Sequence, residues 1–469
     1  MKIACTIVLL AISKMLSAQS LPDKIAKAFA QFERDGQLQY GLTSLTVLNS
    51  ASGEVVFSKN GNTGLAPAST LKTITSITGY NILKPDYKWE TTLAYTGSIK
   101  AGVLYGDLIV KGTGDPTLGS DRYTNTKSGT LLNRWLEATK KAGIAKIEGR
   151  VIADDLLFGT QTIPDGWIWG DIGNYYGAGA TSLNWRENEI ELTIIPGSKT
   201  GMPVQIKNRD PEVEGLRLIN ELKTGISGSG DQVYGFSAPF TDLTYLRGTY
   251  AIDLKKRIVI SMADPAYLLA SQLQAHLSKA GITINGKTST TRRLSMENNY
   301  RPLASITIDR YLSPGFSQIV YWLNQKSLNL YAENILKSMA LKSDKPATFQ
   351  NGVSTLTSYW NKRLGIDSNA ISILDGSGLA PENRITTAVM AKILNSAKTE
   401  DWFPDFYASL PVYNNMKMKS GSIRNVLAYA GYEMSVSGTP LVFSFITNNY
   451  SGSTSSIKQK MFRVLDTLK

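Results

Sequence analysis

The sequence predicts an α/β protein closed by its two ends, with a β-rich insertion between them. Three observations carry this expectation. A helix and a β-hairpin open the chain, and a hairpin and a helix end it. Between about residues 85 and 301 the texture changes to short β-like runs broken by Gly and Asp turns. At 469 residues the chain is long enough for two or three domains and a sizeable core. An apolar content of 42% and a charged content of 19% describe a folded chain without a disorder signature.

The first residues stand apart from that design. Met1-Lys2 supplies a positive start, residues 3–12 an apolar run, and Leu16-Ser17-Ala18 a small-residue cleavage site. We therefore expect residues 1–18 to be an export signal removed before Gln19; an uncleaved anchor is the alternative. The run is closed by Lys14 and is too short to span a bilayer, and no second hydrophobic span follows. Cleavage would remove Cys5, the only cysteine, so the mature chain would hold no thiol. That excludes a cysteine hydrolase and a thiolate metal centre, and it leaves stability to the core alone. The expected location is the periplasm or cell envelope of a bacterium. A formal charge of +12 fits an anionic setting such as a cell wall, or simply a basic solvated surface. The basic residues are scattered, with short clusters at Lys140-Lys141, Lys255-Lys256-Arg257 and Arg292-Arg293. Without interleaved aromatics they make no nucleic-acid groove.

In order, residues 24–33 read as an amphipathic helix, 42–48 as a strand, 49–53 as its turn and 54–57 as the returning strand. Pro67 suits the first positions of a helix, predicted to run to about residue 83. Ser69 then lies at its N-terminus and Lys72 projects from the same face one turn on. A hydroxyl beside unpaired backbone N–H groups, with an amine to take its proton, is what a serine nucleophile needs when no histidine serves it. An N-capping serine and a solvated lysine is the other reading of this pair. In the insertion, residues 103–110, 147–152 and 190–195 read as strands, and Asp264-Pro265 opens a helix carrying Leu269, Leu273, Leu277 and Ala280. The only histidine, His276, lies on that helix beside the apolar stripe, so it reads as structural. It has no second histidine with which to share a metal, and its place in the insertion argues against a Ser-His-Asp triad. We expect neither a metal nor a cofactor. From residue 303 helices return: 316–325 and 330–339 flank a loop at 326–329. Residues 375–379 form a loop, 417–422 enter a strand, 434–436 and 441–447 form a hairpin, and a closing helix shows Ile457, Met461, Val464, Leu465 and Leu468 on one face.

Three short motifs occur in order: Ser69-Thr70-Leu71-Lys72, Ser327-Leu328-Asn329 and Lys419-Ser420-Gly421. They resemble the S-x-x-K, S-D-N and K-T-G motifs of penicillin-recognising serine enzymes, on a helix N-terminus, an interhelical loop and an entering strand. The long gap between the first two sharpens the match. So do Gly112-Thr113-Gly114-Asp115-Pro116-Thr117-Leu118, Asp154-Asp155, Gly166-Trp167, Tyr175-Tyr176-Gly177-Ala178, Ala332-Glu333 and Asp375-Gly376-Ser377-Gly378-Leu379. Together they resemble the class C low-molecular-mass penicillin-binding proteins, the D-alanyl-D-alanine carboxypeptidase/endopeptidase family typified by penicillin-binding protein 4. The likeness runs from the mature N-terminus nearly to the last residue.

The resemblance implies a transpeptidase-like domain of the penicillin-binding-protein/β-lactamase type, an antiparallel sheet with helices, built from residues 19–84 and 301–469. Residues 85–300 would then be an insertion of two subdomains. It implies acyl transfer on peptidoglycan stem peptides ending in D-Ala-D-Ala, with β-lactams as covalent inhibitors. Ser69 would attack the penultimate carbonyl, with Lys72 as base; Ser327 would relay a proton towards the leaving amine, and Asn329 would orient Lys72 and the substrate amide. Lys419 and the Ser420 hydroxyl suit the terminal carboxylate. Backbone N–H groups of Ser69 and Ser422, flanking Gly421, would form an oxyanion hole, roughly 3–4 kcal/mol per donor in comparable sites. Asp154 matches an aspartate that in relatives faces the substrate's diamino-acid amine, and it also reads as a strand-end aspartate.

Three departures stand out. Leu328 replaces the usual Asp of the middle motif, Ser420 replaces Thr, and Ala380-Pro381 stands where some relatives carry Ser-Arg. No deacylating glutamate is identifiable, which ranks a β-lactamase below the peptidase. A peptidoglycan-binding protein with a decayed site rests only on the departures at 328 and 381. Carboxypeptidase and endopeptidase activities share this chemistry and differ in what occupies the leaving side of the cleft.

Overall fold

A computed structural model of the chain describes residues 20–297 and 304–469. The expected export signal at 1–18 lies outside the described residues. Helix α1 (Leu21–Glu33) starts at Ser20, whose hydroxyl accepts from the Asp23 N–H, and buries Ile25, Phe29 and Phe32. Strand β1 (Leu42–Asn49) pairs with β2 (Val55–Lys59), and helix α2 (Leu71–Ile82) follows. The later helices that matter are α3 (Phe316–Lys326) and α4 (Asn329–Lys342). They are followed by strands β3 (Met416–Ile423), β4 (Val426–Met434) and β5 (Pro440–Asn448), then by α5 (Thr454–Leu465).

Both ends of the chain build one sheet, in the order β2-β1-β5-β4-β3 with Val412–Tyr413 outside β3, antiparallel throughout. Alternate residues of each strand serve two cores. Leu427 and Tyr429 pack with Phe29, Phe445 and Met461 under the terminal helices. Ala428, Ala430 and Tyr432 pack with Ile74, Ile77, Tyr331 and Ile335 on the opposite face. Cover on both faces explains why β4 shows no polar alternation. The strand expected at 434–436 is in fact the end of this nine-residue strand, and the turn takes residues 435–439.

Among the described residues the insertion carries four sheets. Its five-stranded sheet runs Ser289–Thr290, Val151–Asp154, Leu108–Gly112, Glu90–Tyr95 and Ile306–Leu312. The last strand pairs Thr307 with Ala94 and Leu312 with Glu90, so a segment expected in the terminal domain from residue 301 completes the insertion's sheet instead. The expected strands at 103–110 and 147–152 each divide between two sheets: Val103–Tyr105 and Lys146–Ile147 in one, Leu108–Gly112 and Val151–Asp154 in the other. They part at Gly106 and Gly149, where a Cβ on Gly149 would lie 2.3 Å from the Gly106 carbonyl. A second group of strands, Glu189–Ile195, Gln205–Asp210, Asp231–Phe236, Leu243–Ala251 and Ile258–Ser261, adds Leu192, Leu246, Tyr250 and Ile260 to a core shared with Leu93, Val110 and Trp135. His276 sits on helix Pro265–Lys279, half-buried, with Nε2 2.8 Å from Asn133 Oδ1.

Candidate active site

The chain enters α2 through a one-turn 3₁₀ helix, Ala68–Thr70, rather than through a helix continuous from Pro67. Ala68 carries φ 45°, uncommon for a residue with a Cβ and a marker of local strain. Ser69 is therefore presented on a tight turn, half-buried, and neither helix start has a side-chain cap. Its hydroxyl instead accepts from Lys72 Nζ at 2.8 Å. The capping serine and solvated lysine are thereby replaced: Lys72 is fully buried.

The second partner of Lys72 Nζ is the Ser377 carbonyl, at 2.8 Å. Burial pushes Lys72 from 10.5 down to about 7, although the carboxylates of Asp375 and Glu333 pull it upward. An amine with a pKa near 7 is neutral in about half of the molecules at pH 7, and the neutral form has a lone pair to accept the serine proton. Across from it, Lys419 on β3 donates to Ser327 Oγ at 2.9 Å and to the Ser420 carbonyl at 2.8 Å. Burial, and then the charge of Lys72, hold Lys419 well below the ordinary lysine value.

Ser327 caps α3 in the left-handed conformation, φ 57° and ψ 41°, which turns its hydroxyl to the lysine between two helices. Leu328 is partly buried and packs against the core, a place a carboxylate would occupy at a desolvation cost. Asn329 opens α4, but its amide donates to the Tyr176 carbonyl at 2.7 Å. Against the expectation that Asn329 orients Lys72, no hydrogen bond among the described residues joins the two; the amine meets Ser69 and the Ser377 carbonyl. Gly421 on β3 is a packing requirement: a Cβ there would lie 2.7 Å from the backbone nitrogens of Ser69 and Thr70. The strand can therefore approach the Ser69 N–H closely, with half-buried Ser420 and exposed Ser422 on either side. Asp154 is different. It ends a strand of the insertion and accepts from Thr291 Oγ1 at 3.0 Å; no hydrogen bond among the described residues joins it to the Ser69 cluster.

Several residues beyond the three motifs complete the site. Glu333, fully buried one turn along α4 from Asn329, accepts from the N–H groups of Gly376 and Ser377, both at 2.9 Å. Asp375 accepts from the N–H groups of Gly378 and Ala380, from Asn383, and from Trp167 Nε1 of the insertion at 2.8 Å. Their sequence signal was only membership of the two longer motifs, with nothing local to mark them as buried acids.

A serine hydrogen-bonded by a buried lysine, faced by a second buried lysine on an antiparallel strand, defines the penicillin-binding class of serine acyl-transfer enzymes. The chain belongs to the D-Ala-D-Ala carboxypeptidase 3 (S13) family, whose profile matches residues 25–468, and it is a serine-type carboxypeptidase. It is 24% identical over 446 residues to the D-alanyl-D-alanine carboxypeptidase of an Actinomadura species, covering 89% of this chain and 80% of that one. Among solved structures it is similar to penicillin binding protein 4 (dacB) from Haemophilus influenzae: TM-score 0.78, 22% identity, 94% of this chain and 98% of that chain covered. The same protein complexed with a novel β-lactam matches at TM-score 0.71, again 22% identical and covering 94% and 98% of the two chains.

Proposed function

We propose that the chain removes the terminal D-alanine from peptidoglycan stem peptides through an acyl-enzyme on Ser69. The observation that carries this reading is the 2.8 Å contact between Ser69 Oγ and a fully buried Lys72 whose pKa is about 7. Lys72 takes the hydroxyl proton as Oγ bonds to the penultimate D-Ala carbonyl carbon, and the oxyanion is stabilised by the N–H groups of Ser69 and Ser422. Breakage of the C–N bond expels D-alanine, whose amine receives a proton through Ser327. Water then attacks the ester, with Lys72 again accepting a proton. Lys419 and Ser420 hold the substrate's terminal carboxylate. Asn329, anchored by its amide to Tyr176, presents its carbonyl oxygen to the substrate amide, and Asp154 is kept as the contact for a diamino-acid amine.

β-Lactams would enter the same acylation and stop there. Glu333, the carboxylate behind Lys72, is occupied by two backbone N–H groups and is not free to activate a deacylating water, which favours a peptidase over a β-lactamase. Export to the periplasm, and an inserted unit of two subdomains, belong to the same proposal. Covalent labelling with a fluorescent penicillin tests it: label on wild type and none on Ser69→Ala is expected, and equal labelling of both would refute it.

A further inference from the structure

Glu333 occupies a place in the site for which the acyl-transfer scheme has no role. Its two carboxylate oxygens each accept one backbone N–H, from Gly376 and Ser377, at 2.9 Å. The peptide that begins at Ser377 then offers its carbonyl to Lys72 Nζ at 2.8 Å. Thr75 of α2 donates to the Gly376 carbonyl at 2.6 Å, so the loop is held from both helices, but only Glu333 binds the Ser377 N–H. Glu333 shares α4 with Asn329 and is fully buried. We infer that Glu333 is the positioning residue for Lys72, fixing the 376–377 peptides so that the Ser377 carbonyl aims the amine at Ser69. This rests on the reading of Lys72 as the base.

Two features of the site fit that role. A carboxylate is the one side chain of this length that can accept two parallel N–H bonds, because the amide of a glutamine would turn an N–H towards one of them. Charge matters as well. The groups facing Lys72 are Glu333 from α4, Asp375 from the loop and Lys419 from β3; the two acids favour the protonated amine and Lys419 opposes it. Burial and then Asp375 push Glu333 itself above the usual carboxylate range, while the Gly376 N–H, the Ser377 side chain and the charge of Lys72 pull the other way. Lys337, the remaining cation near Glu333, lies one helical turn further along α4. Glu333 therefore aims the amine and also raises its proton affinity.

The test compares the pH dependence of the second-order acylation rate by a fluorescent penicillin in wild type, Glu333→Gln and Glu333→Asp. In E333Q one N–H loses its acceptor and the negative charge is gone. The plateau should fall about tenfold, and the acid limb should move to lower pH. In E333D the charge stays but the shorter side chain cannot span both N–H groups. The plateau should fall comparably while the limb stays in place. A purely structural glutamate would change the yield of folded protein and its Tm, leaving the rate per active site and the limb as in wild type; that result in either variant overturns the inference. Should E333Q not fold, E333D carries the test by its plateau. Wild type separates the two levels. With no acid limb near pH 7 the base assignment fails, whereas a normal wild-type limb matched by E333Q and E333D sinks only the Glu333 inference.

Discussion

Two lysines lie fully buried in the same helical layer, and they do different work. Lys72 on α2 and Lys337 on α4 are each pushed by burial from 10.5 to about 7. Lys72 meets a hydroxyl, Ser69 Oγ, at 2.8 Å. Lys337 meets only carbonyls, those of Gln161 at 2.6 Å, Phe158 at 3.4 Å and Ala180 at 3.5 Å, under the Phe349 ring at 4.3 Å. All three carbonyls belong to the insertion, where residues 158–180 cross α4. Burial makes either amine a candidate base, but only the one with a titratable partner can use it. The other is a bolt between the insertion and the helix that carries Asn329 and Glu333.

That contrast can be broken by exchanging what each lysine loses. Lys72→Ala should lower the acylation rate by about 10³-fold, within the range for losing a positioned base, a loss far larger than any change in thermal stability explains. Stopped-flow labelling with a fluorescent penicillin measures the first effect and calorimetry the second; normal acylation would void the base assignment. Lys337→Met should do the reverse. Three buried carbonyls would lose their donor at a cost of about 2 kcal/mol in urea unfolding, while the acylation rate per folded molecule stays within a few-fold of wild type. Its pH signature has a definite sign. The folded state holds the Lys337 proton up to about 7 and the unfolded chain up to about 10.5, so the unfolded state binds more protons between those values. Stability from this group therefore rises with pH across that window, and K337M should flatten the rise.

The site was legible in the sequence to the extent that it is local. Ser69 and Lys72 are three apart on one turn, and Lys419-Ser420-Gly421 enters a strand, so spacing alone places them. What escaped is held by contacts between distant segments. Nothing near residue 306 announces that Ile306–Leu312 will pair with Glu90–Tyr95, because the partner lies across the whole insertion. Residues 426–434 hid as a strand because both faces are covered, and Ala428, Ala430 and Gly431 blur the β signal. Glu333 and Asp375 look like ordinary helix and loop acids until the fold buries them together. The departure at residue 328 also found its cause there, since partly buried Leu328 packs against the apolar core.

The central claim, that a neutral Lys72 activates Ser69, is met most directly by the pH profile of acylation in the wild-type protein and in K337M, measured with one fluorescent penicillin from pH 5 to 9. The account predicts a rate that rises with pH to a plateau, with a midpoint near 7 in both proteins, because Lys72 must lose its proton and Lys337 takes no part. A rate still climbing at the top of that range, as for a lysine near its ordinary 10.5, would contradict it, as would a midpoint that moves when Lys337 is removed.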